Sequence, residues 1–243
     1  MTNYIMGCDV SVWQDANSTP QQIDFKKMKA NGAEFVFIRA GQHIWKDPDF
    51  DYNWKASKAA GLLRGAYWFL DYTRGTPPLK QAEIFAGMLL ADSGELPPVI
   101  DFERVAIAPP TRDRWLQMCQ SFMGAVDKAL DVETMIYTNP DIIQNWIAPI
   151  PSWMLSRDLW IANYGPTAPH FKPWDTWTFW QWTDRGPGYD FGVESKQIDM
   201  DWFNGTLDDL YAFAGKEPVE KPVTDAEKLD RLWEYHPELH DER

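Results

Sequence analysis

Apolar residues in this sequence fall into two alternating kinds of segment. Short apolar runs rich in β-branched and aromatic residues, each closed by turn residues, predict buried strands. Eight such runs occur, at residues 4–10, 34–40, 64–70, 99–103, 134–138, 159–162, 178–182 and 197–203. Stretches with helical spacing separate the early runs, at residues 23–30, 53–60, 79–91, 112–130 and 142–146. Strands that alternate with helices predict a parallel sheet.

The number of strands predicts how this sheet is arranged. Eight strands in a chain of 243 residues predict an α/β fold closed into a TIM-like (β/α) barrel. The alternation weakens after the sixth strand, because residues 163–175 are rich in proline and glycine and no amphipathic helix separates the last three strands. We therefore expect an irregular barrel whose helices cover mainly the first five strands.

The composition changes after Gly215, where two prolines among charged residues predict a linker. A short amphipathic helix is expected beyond it, with the apolar face Leu229, Leu232 and Trp233. We predict a barrel domain at residues 1–215 and a linker with a short C-terminal helix at residues 216–243. Because so short a helix is unstable alone, we expect it to dock on the barrel, on a partner, or on a second copy of the chain by self-association.

Charge and aromatic content narrow the range of ligands. The formal net charge is −13, which repels nucleic acid and anionic membranes, so we expect neither as a partner. The chain has 14 tryptophans, and flat aromatic faces are surfaces on which sugar rings stack. Cys8 and Cys119 are expected to be buried thiols rather than a disulfide. The composition thus favours a carbohydrate ligand.

Carboxylates occur where the active sites of β/α barrels lie, at the carboxyl ends of strands. Asp9 ends the first predicted strand, Asp101 and Glu103 end the fourth, and Asp199 and Asp201 lie in the eighth. Residues i and i+2 of a strand share a face, with Cα atoms roughly 6.5 Å apart. Like charges held this close push their pKa values apart, so that one carboxyl stays protonated. Glycoside hydrolysis requires such a pair, one group to protonate the leaving oxygen and another to stabilise the developing cation.

The spacing of these carboxylates does not by itself exclude a divalent-metal hydrolase, which also uses acidic clusters. The histidines show no metal-ligand spacing, so zinc is not expected. They are His43, His170, His236 and His240. We predict neither a metal site nor a cofactor.

Nine short segments, in the same order as in the family, resemble the glycoside hydrolase family 25 lysozymes, the muramidases of phage endolysins, bacteria and fungi. The resemblance runs from about residue 4 to residue 205. The segments are 8–14 (CDVSVWQ), 37–41 (FIRAG), 49–53 (DFDYN), 65–69 (GAYWF), 99–103 (VIDFE), 136–138 (IYT), 159–164 (LWIANY), 180–183 (WQWT) and 198–205 (IDMDWFNG).

This resemblance implies hydrolysis of the β-1,4 bond between N-acetylmuramic acid and N-acetylglucosamine in bacterial peptidoglycan. It implies that Glu103 is the proton donor. Asp101 would assist, by stabilising the cation or by orienting the substrate's own 2-acetamido group as the nucleophile. Asp9 and Asp199 would complete the catalytic site.

Sugar contacts are expected near the strand ends, with core packing as the alternative for each aromatic residue. The predicted substrate-binding residues are Tyr67, Trp68, Tyr137, Asn163, Tyr164, Trp180, Gln181 and Trp182. Asn163 and Gln181 are suited to hydrogen-bond an acetamide group. Alternation along the seventh strand predicts that Trp180 and Trp182 share one face and Gln181 lies on the other.

Two positions depart from the family's pattern. The family often has histidine where this chain has Trp68, and asparagine where it has Asp201. The first departure concerns sugar contacts on the third strand. The second adds a charge that either raises the pKa of a neighbour or points outward.

Two other functions compete with the muramidase hypothesis. A chitinase-like glycosidase would share the barrel, but usually carries a longer acidic strand motif than the one at residues 99–103. A catalytically inactive sugar-binding relative would have lost part of the acidic set, yet all four members are intact, namely Asp9, Asp101, Glu103 and Asp199.

The start of the chain shows no Sec-type signal, and no apolar stretch is long enough to span a bilayer. We therefore expect a protein made in the cytoplasm. The resemblance to phage endolysins implies action on the cell wall after release, through a holin or on lysis.

Overall fold

The computed structural model describes residues 4–15, 22–105, 107–169 and 172–217. The strands in these ranges are β1 (Ile5–Val10), β2 (Phe35–Gln42), β3 (Trp45–Lys46), β4 (Leu63–Phe69), β5 (Val99–Asp101), β6 (Met135–Thr138), β7 (Leu159–Ala162), β8 (Phe179–Pro187) and β9 (Gln197–Phe203). The helices are α1 (Phe25–Ala30), α2 (Phe50–Ala59), α3 (Pro78–Leu89), α4 (Arg112–Leu130), α5 (Ser152–Leu155) and α6 (Leu207–Phe213). Two 3-10 turns lie at Val12–Gln14 and Gly188–Phe191, and a π-helical turn at Ile142–Trp146.

Eight of these strands close into a barrel, as the sequence predicts. Their order around the barrel is β1, β2, β4, β5, β6, β7, β8 and β9, and β9 pairs with β1 to complete the ring. The short β3 adds to β2 as a hairpin outside the ring. The barrel and the eight predicted strands are therefore confirmed.

The direction of the last strand differs from the prediction of a parallel sheet. β9 runs antiparallel to both β8 and β1, whereas the other neighbouring pairs in the ring are parallel. A parallel crossover needs a dozen or more residues, usually with a helix. Only the short segment 188–196, with its 3-10 turn, joins β8 to β9, so the chain returns as a hairpin.

Inward-facing side chains fill the lower part of the barrel with aromatic rings. Phe37 stacks on Trp160 with ring centroids 4.3 Å apart, and both rings are fully buried. Glycine makes room for these rings, because a Cβ on Gly65 would come within 2.3 Å of Phe37. The last helix, α6, closes the amino-terminal end of the barrel with Leu210 and Phe213 against this inner cluster.

Helices cover the outer face of the strands through a second apolar cluster. α4 has the predicted bounds, and its buried face contains the predicted residues Trp115, Met118, Cys119, Phe122 and Val126. α3 packs beside α4. After β6 the only helices described are short, which fits the expectation of an irregular barrel.

The predicted C-terminal helix and most of its linker lie outside the described residues, which end at residue 217. α6 was not among the predicted helices. In the part of the chain that the structure describes, no helix combines the length and the apolarity that crossing a membrane requires.

Candidate active site

A cavity of about 620 Å³ opens at the carboxyl ends of the parallel strands. The inward-facing positions are apolar in the lower barrel, and the next inward-facing position along each strand is polar. The cavity forms at this change. The polar residues that the strands contribute to the cavity wall are Asp9, Arg39, Tyr67, Asp101, Tyr137, Gln181 and Asp199. Glu103, two residues beyond the end of β5, joins them.

All four predicted catalytic carboxylates line this one cavity. Asp9 and Asp199 are paired across β1 and β9, and Asp101 and Glu103 come from the opposite part of the ring. Residues far apart in sequence therefore meet because the barrel closes.

The backbone after β5 fixes the direction of Glu103. The Phe102 N–H donates to the Tyr137 carbonyl at 2.9 Å, and the Thr138 hydroxyl donates to the Phe102 carbonyl at 2.9 Å. The Phe102 ring points outward and packs 4.5 Å from the Trp115 ring, centroid to centroid. Because Phe102 faces outward, Asp101 and Glu103 both face the cavity.

Burial raises the pKa of both Asp101 and Glu103 above its ordinary value. The charge of Glu103 raises the pKa of Asp101 further, whereas the Arg39 guanidinium lowers it. A hydrogen bond with Tyr137 partly offsets the effect of burial on Glu103. The pair therefore retains a proton to higher pH than two exposed carboxyls would.

The second pair of carboxyls is shifted in the same direction. Burial, followed by the charges of Asp199 and Asp201, raises the pKa of Asp9 well above its ordinary value. Burial, followed by the charges of Asp184 and Glu103, raises the pKa of Asp199 to about 6. Protons are thus held on this side of the cavity as well.

Gln181 holds several of these groups in place. Its Nε2 donates to Asp9 Oδ2 at 2.6 Å, and its Oε1 accepts from the hydroxyls of Tyr137 at 2.8 Å and Tyr164 at 3.1 Å. Gln181 is buried. Most of its hydrogen-bonding capacity is therefore used within the protein, which leaves little for the acetamide contact expected of it.

Asp201 lies inside the barrel and is fully buried. The Trp160 indole Nε1 donates to Asp201 Oδ1 at 2.8 Å, and the Asp201 charge raises the pKa of Asp9. Of the two expectations for this position, the structure favours the effect on a neighbouring pKa over an outward orientation.

Three of the predicted sugar-binding tryptophans do not line the cavity. Trp68 and Trp180 are buried in the outer core, and Trp182 stacks on Trp202 with ring centroids 5.9 Å apart. The predicted alternation in β8 is present, but the face that reaches the cavity is that of Gln181. Trp180 packs against Tyr4 and Trp177, and Trp68 packs against Phe85 of α3, so these rings fill space in the outer core.

The other predicted sugar contacts do line the site. Tyr67, Tyr137 and Tyr164 are in the cavity wall. Asn163 lines a neighbouring pocket of about 250 Å³, together with Glu103 and Asn139. This smaller pocket extends the site past the proposed acid.

Several residues of the cavity wall were missed in the sequence, among them Trp13, Arg39, Asp71 and Arg74. Signals for two of them existed, because Trp13 and Arg39 lie within segments that carry the family resemblance. Trp13 is 75% exposed and sits on a 3-10 turn whose capping box pairs Ser11 with Gln14. The loop after β4 gave no periodic signal from which Asp71 and Arg74 could be placed.

Within the described ranges, no group of three or more histidine, cysteine, aspartate or glutamate side chains is arranged to hold a metal ion.

A TIM-like barrel that gathers carboxyls at the ends of its strands has the arrangement that barrel glycoside hydrolases use. The sequence model for glycosyl hydrolases family 25 matches residues 8–190, and the chain belongs to that family. It is a glycoside hydrolase of the lysozyme, or muramidase, type. The family and the enzyme class inferred from the sequence are thereby confirmed.

Curated relatives span most of the chain. The YegX protein of Escherichia coli O157:H7 is 33% identical over 221 residues, covering 86% of this chain and 73% of its own. Lysozyme M1 of Streptomyces globisporus is 30% identical over 232 residues, covering 88% of this chain and 72% of its own.

Solved structures share the fold. A bacterial lysozyme from Streptomyces coelicolor superposes with a TM-score of 0.74 at 26% identity, covering 88% of this chain and 98% of its own. A family 25 glycosyl hydrolase from Bacillus anthracis superposes with a TM-score of 0.75 at 26% identity, covering 88% of this chain and 95% of its own.

Proposed function

We propose that this protein is an N-acetylmuramidase that hydrolyses the β-1,4 bond between N-acetylmuramic acid and N-acetylglucosamine in bacterial peptidoglycan. The observation that carries the proposal is the meeting of Asp101 and Glu103 with Asp9 and Asp199 in one cavity at the strand ends. Membership in the family and the similarity to Lysozyme M1 support the choice of substrate.

Glu103 is the general acid in this proposal. Burial raises its pKa, so the carboxyl holds its proton to higher pH than an exposed glutamate does, and that proton is available to the leaving oxygen. Burial and the Glu103 charge raise the pKa of Asp101, and the Arg39 guanidinium opposes them. The proposed mechanism requires that the proton which the pair shares be on Glu103 when the leaving oxygen departs.

Asp101 assists the reaction without attacking the sugar itself. Its Oδ1 is buried and has no hydrogen-bond partner among the described residues, although a buried carboxylate oxygen normally has one. The N–H of a substrate 2-acetamido group would satisfy this oxygen. Held in this way, the acetamide oxygen can attack the anomeric carbon while Glu103 protonates the departing oxygen.

Asp9 and Asp199 shape the other side of the site. Asp9 is fixed by Gln181, and Asp199 stands beside it on β9. Both are placed to hydrogen-bond sugar hydroxyls, with Tyr67, Tyr137 and Tyr164 completing the wall and Asn163 contributing from the adjoining pocket.

The protein would act on the cell wall after release from the cell, through a holin or on lysis. Purified enzyme should therefore cleave isolated wall material without any cellular component.

The experiment that tests the proposal compares two glycans as substrates, soluble strands from peptidoglycan and oligomers of N-acetylglucosamine. A muramidase cleaves the first and leaves the second largely intact. Equal or faster cleavage of the N-acetylglucosamine oligomers would instead indicate a chitinase-like enzyme. Binding without cleavage of either, by folded protein, would indicate an inactive sugar-binding relative.

A further inference from the structure

The cavity wall is unevenly charged. Among the described residues that line it, five are carboxylates and two are cations, Arg39 and Arg74. Arg39 acts on Asp101 and belongs to the catalytic group. Arg74 lies in the loop after β4 and has no part in the catalysis described above.

The position of Arg74 is fixed by contacts on two sides. Its guanidinium lies 4.5 Å from the centre of the Trp45 ring, and its Nε is 3.6 Å from Asp71 Oδ2. Trp45 is in β3, which approaches so closely that a Cβ on Gly41 would lie 2.0 Å from the Trp45 carbonyl oxygen. A cation over an indole face is stabilised by the ring quadrupole.

The loop that carries Arg74, residues 71–76, is itself held from below by a buried glutamine. Gln81 Nε2 donates to the carbonyls of Asp71 at 2.7 Å and Thr76 at 3.2 Å, and Gln81 Oε1 accepts from the Asp71 N–H at 3.1 Å. The Trp68 indole also donates to Gln81 Oε1, at 3.2 Å. Trp68, predicted to contact sugar, therefore supports this loop from the core.

The same loop touches the segment that carries Glu103. The Tyr72 hydroxyl donates to the Ile107 carbonyl at 2.9 Å and accepts from the Val105 N–H at 3.1 Å. Both Val105 and Ile107 line the cavity beside Arg74. The Arg74 side chain therefore lies on the same side of the cavity as the residues that follow the proposed acid, Glu103.

Arg74 retains hydrogen-bonding capacity in this position. Its side chain is 51% exposed. Arg74 Nε and Asp71 Oδ2 form an ion pair, but their 3.6 Å separation is too long for a hydrogen bond. Asp71 Oδ1 instead accepts from the Thr73 N–H and hydroxyl, both at 2.7 Å. The planar donors of arginine match a carboxylate in geometry as well as in charge.

We propose that Arg74 binds a carboxylate on the lactyl-peptide substituent of N-acetylmuramic acid, and so favours peptidoglycan over an unsubstituted amino-sugar chain. The inference rests on the proposed function. N-acetylglucosamine is neutral, so on the glycan strand the negative charge comes from this substituent, either from the peptide or from the lactyl group once the peptide is removed. An arginine at the rim of an otherwise acidic cavity is suited to that group.

The test uses three soluble glycans prepared from one peptidoglycan. The first keeps its peptides, the second has lost them to an amidase and carries free lactyl carboxylates, and the third has those carboxylates converted to neutral methylamides. In Arg74→Gln, kcat/KM on the peptide-bearing glycan divided by kcat/KM on the neutral glycan should fall about fivefold, the scale of one partly exposed charged contact. For Arg74→Lys the same ratio should fall less, because the charge remains.

The control is Arg114→Gln, which removes the same charge from the exposed face of α4 outside the cavity. Its ratio should equal that of the wild type. A fall for Arg74→Gln on the free-lactyl glycan alone would assign the contact to the lactyl carboxylate, and a fall on the peptide-bearing glycan alone would assign it to the peptide. A fall on both would show that Arg74 binds either carboxylate. Ratios to the neutral glycan that are unchanged for both charged glycans, or an equal loss on the neutral glycan, would overturn the proposal. Failure of the proposed function is distinct, since the wild-type products would then lack reducing muramic acid.

Discussion

Glu103 differs from the surface glutamates of this chain in its surroundings. The strand places it at the cavity, and burial raises its pKa, so this carboxyl keeps its proton to higher pH than an exposed glutamate does. Asp101 beside it is shifted upward as well, by burial and by the Glu103 charge, and Arg39 opposes that shift in pKa. The chemistry at this scale comes from the side chain and from its partial burial in the cavity wall.

Replacing Glu103 by glutamine should abolish activity and preserve the fold. The amide keeps the shape and loses the transferable proton, and general acid catalysis is commonly worth about 10²–10⁴-fold in rate. Lysis of purified walls, with circular dichroism and melting to confirm folding, measures the effect. Glu83→Gln on α3, where the side chain is 70% exposed, is the matched control and should match the wild type. Near wild-type lysis by folded Glu103→Gln would remove Glu103 from the mechanism.

Trp13 is expected to extend sugar binding beyond the catalytic carboxyls, since it lines the cavity and is 75% exposed. Trp13→Ala should lower kcat/KM on long glycan strands by about three- to tenfold, the scale of a stacking contact worth roughly 1 kcal/mol. Its melting temperature should stay at the wild-type value, because little of the side chain is buried. Leu90→Ala, at the end of α3, removes an equally exposed apolar side chain away from the cavity and is the control. An unchanged kcat/KM for Trp13→Ala would show that no sugar stacks there.

At the scale of strands and helices, periodicity predicted most elements because burial determines it. The apolar face of α4 was predicted residue by residue, since a helix packed on a barrel must bury one stripe. In β8 the alternation of Trp180 and Trp182 against Gln181 was predicted as well. Period two identifies the two faces of a strand but does not say which of them lies inside, so the choice between sugar contact and core packing stayed open for these tryptophans.

The sequence also left loops and strand direction undetermined. The parallel sheet predicted from the alternation is wrong for β9, because the connection from β8 is too short for a parallel crossover and the chain returns antiparallel. Arg74 could not be placed because its position depends on Trp45 and Asp71, which meet only in the folded chain. The four carboxylates, by contrast, were found because strand ends are predictable and a barrel collects them at one edge.

Across the protein, the acidic site lowers stability at neutral pH. Burial raises the pKa of Asp9, Asp199 and Asp201, so the folded state holds protons that an unfolded chain loses at about pH 4. Where the unfolded state binds fewer protons, the free energy of unfolding falls as pH rises. The fall should begin near pH 4, pass through about pH 6 for Asp199, and continue to higher pH for the two deeper carboxyls.

Asp201→Asn tests this account of stability. The amide can keep the acceptor for the Trp160 indole, removes a buried charge, and restores the residue that the family often has there. The melting temperature at pH 8 should rise by several degrees, at about 2–4 °C per kcal/mol for a protein of this size. The difference between the melting temperatures at pH 5 and pH 8 should shrink.

Asp51→Asn, an exposed change in the first turn of α2, is the control for this variant and should leave the pH dependence as it is. If Asp201→Asn melts at the wild-type temperature at pH 8, with the same pH dependence, the buried charge does not limit stability.

The most direct test of the central claim is mass spectrometry of the fragments that the purified enzyme releases from peptidoglycan, after borohydride reduction of their reducing ends. A muramidase with Glu103 as its acid should yield fragments that end in reduced N-acetylmuramic acid, and Glu103→Gln should yield none. Fragments that end in reduced N-acetylglucosamine would place the cleavage at the other glycosidic bond, and release of free peptides would indicate an amidase or peptidase; either result would contradict the account.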